Sequence, residues 1–133
     1  MKFATMLGLV LKEIYYKSEH DRVYFKTECG RTFLLYHVKD CCETVTLEDV
    51  CGDFKDLIGN PLLECEEASS EELSTIMGFI KCPNESCTWT FYKLGTIKGR
   101  VTMRWMGSSN GYYSESVDFK ELTEELNHAR RGN

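Results

Sequence analysis

Arg100, Thr102 and Arg104 alternate with Val101, Met103 and Trp105. A period of two puts the first set on one face of a strand and the second on the other. The apolar set reads as core, so the two guanidinium groups share the polar face. Forked guanidinium donors pair with phosphate oxygens in a bidentate manner, and aromatic ring faces stack on purines. Phe79, Phe91, Tyr92, Tyr112 and Tyr113 lie nearby in the chain, with the small polar run Ser108-Ser109-Asn110. Together they suit a small anionic ligand that carries a ring. The same residues also fit a plainer arrangement, in which the aromatics fill a core and the arginines are solvated. The pattern leaves both open.

Reactive alternatives are weaker. His37, Cys41, Cys42 and Cys51 supply soft metal ligands, as do Cys82 and Cys87. Adjacent Cys41 and Cys42 do not readily reach one tetrahedral ion, and no C-x-x-C pair occurs, so neither a metal nor a cofactor is expected. His37 precedes two cysteines by four and five residues, which invites a cysteine–histidine nucleophile. Such a pair must meet in space beside an orienting third group, and proximity in sequence does not supply that. The G-x-S-x-G, P-loop and H-E-x-x-H motifs are missing. Glu48 and Asp49 are neighbours, and on a regular strand they point to opposite faces. Binding without catalysis is the expectation.

Composition narrows the partners. With 133 residues, 42% hydrophobic and 28% charged, the chain is expected to form a single ligand-binding domain over residues 1–133. A net charge of -5 argues against a general binder of long nucleic acid, which needs a cationic surplus to displace phosphate counterions. A small anion needs only two or three well-placed cations. The apolar opening from Met1 to Leu11 is broken by Thr5 and runs into Lys12-Glu13 with no A-x-A-like cleavage site, unlike a signal peptide. No stretch approaches the roughly 18 apolar residues of a membrane span. Seven cysteines is an odd count, which fits reduced thiols in a cytoplasm better than a disulfide framework.

The elements that must position the arginines follow from turn chemistry and periodicity. Residues 13–17, 22–26 and 32–38 read as an antiparallel meander, and 44–50 as a further strand. In residues 52–59, Asp53 caps one or two helical turns, Phe54, Leu57 and Ile58 mark an apolar face, and Gly59 and Pro61 stop them. Residues 62–67 form a candidate strand, 68–75 an acidic loop, and 77–87 an irregular connection. Strands at 88–94 and 100–106 flank a glycine-bracketed loop, and Asn110-Gly111 turns into a last strand at 112–119. A short helix is expected over 122–131. The fold expected is α+β: one twisted antiparallel sheet with one or two short helices.

Four stretches carry a family resemblance: residues 36–43 (YHVKDCCE), 47–59 (LEDVCGDFKDLIG), 88–93 (TWTFYK) and 101–119 (VTMRWMGSSNGYYSESVDF). They resemble the phage and prophage Thoeris anti-defence sponges of the first type, over roughly residues 30–120. The resemblance implies a phage-encoded, non-catalytic protein of the host cytoplasm. Its members bind and sequester the cyclic ADP-ribose derivatives made by bacterial TIR-domain immune enzymes, leaving the signal intact. It further implies homo-oligomers, hexamer or dimer, and binding of cyclic oligonucleotides. An aromatic side chain and a downstream arginine form part of the family's pocket. Phe79 and Arg104 match them by position, with Phe91 the alternative aromatic. Arg31 and Lys39 are further candidate phosphate contacts. The expected ligand-binding set is then Arg31, Phe79, Phe91, Arg100, Arg104, Asn110 and Tyr112. A nucleotide-degrading enzyme and a protein inhibitor of a host defence enzyme are the competing functions.

Overall fold

The computed structural model describes residues 1–17, 21–38, 43–69, 86–109 and 116–122. Within them the chain forms strands β1 (Leu11–Lys17), β2 (Arg22–Thr27), β3 (Thr32–Tyr36), β4 (Thr44–Cys51), β5 (Glu64–Ser69), β6 (Ser86–Thr96), β7 (Gly99–Ser109) and β8 (Asp118–Glu121). They make two four-stranded sheets, ordered β1-β2-β3-β8 and β4-β7-β6-β5, with every pairing antiparallel. The α+β expectation with a single sheet is corrected to a mostly β architecture of two sheets. Helical backbone among the described residues is confined to two four-residue 3-10 turns, Phe3–Met6 and Phe54–Leu57.

One apolar cluster joins the sheets. Val23, Phe25, Phe33 and Leu35 come from the first sheet, and Tyr92, Leu94, Val101, Met103 and Trp105 from the second. Alternation explains the assignment: β2 buries Val23, Phe25 and Thr27, and β7 buries Val101, Met103 and Trp105, while their neighbours face outward. Phe3 connects the layers, with its ring edge-on to Phe25, Tyr92 and Phe119 at centroid distances of 6.3, 4.7 and 5.3 Å. Phe3, Met6 and Leu11 of the apolar opening are therefore core, while Met1 and Leu7 stay exposed. Each fully buried phenylalanine contributes about 2–3 kcal/mol relative to exposure.

The first three strands form the expected meander. The second 3-10 turn starts where expected, with the Asp53 side chain accepting from the Lys55 backbone N–H, but it runs for only four residues. The hairpin is longer than periodicity indicated. Thr96 pairs with Gly99, so the five-residue loop expected between the strands shrinks to a two-residue turn at Ile97-Lys98. Glu48 is the extra residue of a bulge between Leu47 and Asp49, which breaks the simple alternation expected of the two acids. The last strand begins at Asp118, not 112, and pairs with β3 in the other sheet. Residues 68 and 69, expected in the acidic loop, extend β5, and 86 and 87, expected in the irregular connection, open β6. Residues 70–85 and 110–115, and 123–131 of the expected helix, lie outside the described residues.

Candidate functional site

The outer face of the second sheet carries the residues that periodicity singled out. Arg104 on β7 is the register partner of Phe91 on β6, and Met106 is that of Trp89. Residues opposite each other across a ladder share a face, so these four side chains form one surface. All four are half-buried. Ala68 on β5 is the partner of Phe91. On the other flank, β4 places Asp49 opposite Arg104.

Arg104 is held by stacking. Its guanidinium carbon lies 5.1 Å from the Trp89 ring centroid, a cation–π distance. Its Nε is buried and has no hydrogen-bond partner among the described residues. A buried N–H donor left unpaired costs on the order of 1–3 kcal/mol, which an incoming acceptor recovers. The tryptophan plane fixes the orientation of the fork, and Phe91 supplies a second ring beside it. Chemically this surface can hold an anionic oxygen at the guanidinium and a planar group against an aromatic face.

The other expected site residues do not converge on it. Arg100 shares the face but sits four residues away at the hairpin tip, about 13 Å along the strand. Its side chain is 81% exposed, with Nε 3.1 Å from Glu64 Oε2. That is a charge contact without hydrogen-bond alignment, since the same carboxylate oxygen has no hydrogen-bond partner among the described residues. Arg31 belongs to the first sheet, where it makes two hydrogen bonds to Glu121, at 3.2 and 2.8 Å, and lies over Phe33. These contacts raise its already high pKa, the Glu121 hydrogen bonds first. Tyr92 is core, 1% exposed, and burial raises its phenol pKa. Phe79, Asn110, Tyr112, Tyr113 and Lys39 lie outside the described residues.

Trp89 is the residue that sequence reasoning missed. The alternation applied to 100–106 was available for 88–94 as well. It separates Trp89, Phe91 and Lys93 from Thr90, Tyr92 and Leu94, and the structure follows that division.

His37 is engaged elsewhere. Its Nδ1 lies 2.8 Å from the Ser116 carbonyl oxygen and its Nε2 3.1 Å from Glu43 Oε2. A carbonyl only accepts, so Nδ1 is the donor in the contact with Ser116. The side chains are 7% and 0% exposed. With both ring nitrogens committed, His37 is a structural tie between the end of β3, the start of β4 and the approach to β8. Cys41 and Cys42, its partners in the nucleophile expectation, lie outside the described residues. Among the described residues no group of three His, Cys, Asp or Glu side chains is placed to hold a metal. No helix among them is long and apolar enough to cross a membrane.

The fold and this face together define a small antiparallel two-sheet β domain with an arginine–aromatic surface on its second sheet. Residues 5–119 match the family described as a domain of unknown function, DUF7448, and the chain belongs to that family. No curated protein and no solved structure matches the chain.

Proposed function

We propose that this chain is a non-catalytic binding protein for a small anionic nucleotide, held on the outer face of the second sheet. One observation carries the proposal: the Arg104 guanidinium is stacked on Trp89, stands opposite Phe91, and keeps a buried Nε donor unpaired among the described residues. An oriented fork beside an aromatic plane matches the two chemistries of a nucleotide, phosphate and base. The resemblance to Thoeris anti-defence sponges supplies the particular ligand, a cyclic ADP-ribose-type signal, and the setting, a phage protein acting in the host cytoplasm. One face of one sheet supplies a single wall, and small ligands are bound in concave sites, so enclosure by a second subunit of a homo-oligomer belongs to the proposal.

The test is capture and release. Cyclic ADP-ribose and its isomers are incubated with the protein, the free ligand is measured, and the mixture is heated to release what was bound. Loss of free ligand followed by recovery of the intact molecule supports sequestration. A cleaved product establishes turnover instead. No loss, with stable co-elution of a host protein, makes the chain a protein inhibitor.

A further inference from the structure

The outer face of the first sheet carries three lysine–tyrosine pairs. Lys17 lies over the Tyr24 ring at 5.6 Å, Lys26 over Tyr15 at 5.0 Å, and Lys120 over Tyr36 at 5.1 Å. Tyr15 and Tyr24 are register partners on β1 and β2, so the first two lysines cross diagonally, each onto the ring of the neighbouring strand. Tyr15 is 42% exposed, and Tyr24 and Tyr36 are half-buried. Among the described residues, Arg22, the partner of Lys17, adds a fourth cation to this face, against the acids Glu13 and Asp118. The chain as a whole carries -5, so the sheet gathers its cations on this side against the average.

Charge and ring geometry point to one kind of occupant. The tyrosines are spread over three adjacent strands, about 10 Å from β1 to β3. Lys17 and Lys26 carry compact ammonium charges on flexible stems, which swing readily from a ring to a phosphate. Each such movement uncovers a ring face. A polyanion with unstacked planar groups then satisfies both halves of every pair, its phosphates taking the ammonium groups and its bases the rings. A duplex hides its base faces, and an acidic protein offers no planar groups in series. We infer that the outer face of the first sheet is a binding surface for single-stranded nucleic acid, separate from the Arg104 face. The expectation of no long nucleic acid partner rests on net charge, an average in which a local group of cations does not register.

The experiment is fluorescence anisotropy of the full chain with labelled single-stranded oligothymidylate and oligouridylate of about 12 nucleotides, within the usual site size for a single-strand surface. A duplex of equal length and heparin serve as competitors. Binding of either single strand is expected, preferred about tenfold over the duplex. Engagement of three phosphates predicts a salt slope of about -2 in log affinity against log salt. The Lys17→Gln/Lys26→Gln/Lys120→Gln variant should bind about tenfold or more weakly and lose most of that slope. Tyr15→Leu, which keeps an apolar side chain and the fold, should weaken binding about tenfold through lost stacking. Arg104→Ala, on the other sheet, should leave oligonucleotide affinity unaltered while weakening capture of the small nucleotide. No binding, equal competition by heparin with no effect of Tyr15→Leu, or loss of binding in Arg104→Ala would each overturn the inference.

Discussion

Phe91 and Arg104 face each other across the β6–β7 ladder, and both project from the outer side of the second sheet. With Trp89 under the guanidinium, the arginine is oriented before any ligand arrives. Arg104→Ala should weaken capture of cyclic ADP-ribose about tenfold to a hundredfold, the usual worth of a charged hydrogen-bonding group. Trp89→Leu should produce a smaller loss, by letting the fork wander. Isothermal titration of the two variants checks the order, with elution volume confirming unchanged assembly. An Arg104→Ala protein that is folded and binds at full strength removes this face from the site.

The His37–Glu43 pair makes a prediction about stability. Glu43 is fully buried, and its Oε2 lies 3.1 Å from His37 Nε2. His37→Ala leaves a buried carboxylate without that compensation, at a cost of about 3–5 kcal/mol. Glu43→Gln, which removes the charge and keeps the shape, should cost less. Urea denaturation of both variants decides. Equal small losses would mean that the tie is solvated and dispensable.

Cys65 gives the protein an alkaline limit. Its thiol donates to the Phe3 carbonyl oxygen at 3.1 Å, and burial pushes its pKa from 9.0 up to about 12. The folded-state pKa lies above the unfolded one, so the unfolded chain ionises first. Stability from the neutral thiol is fully present below pH 9.0 and is lost as pH rises toward about 12. Urea midpoints at about pH 8 and about pH 10 should fall further in the wild type than in Cys65→Ala. Parallel declines would assign the loss to other groups.

Gly52 is irreplaceable for a local reason. Its φ is +107°, and a Cβ there would run into the Arg100 carbonyl oxygen and approach the Val101 Cα to 3.1 Å. Gly30 also has a positive φ, +90°, with open space around it. Gly30→Ala should therefore cost only the left-handed backbone penalty, about 1–2 kcal/mol. Gly52→Ala should cost clearly more, because backbone atoms of β7 must move. Thermal melts of the two variants compare them directly, and equal shifts would show that β7 yields freely.

Periodicity and turn chemistry along the chain were enough for the β1–β2–β3 meander, the Asp53-capped turn, the hairpin and the outward face of Arg104. Each depends on residues a few positions apart, where alternation and φ preferences act directly. The division into two sheets was not legible, because it depends on β8 returning to β3, and a short strand carries no mark of a distant partner. The core role of Phe3, the capture of Arg31 by Glu121 and the contact of His37 with the Ser116 carbonyl all follow from such long-range pairing. Net charge shows the same division between levels. Counting residues yields a total of -5, and alternation along the chain yields a strand with arginines on one face. The gathering of lysines and tyrosines on one sheet, and of a tryptophan-stacked arginine on the other, arises from strand pairing, because a charge acts through its neighbours in space.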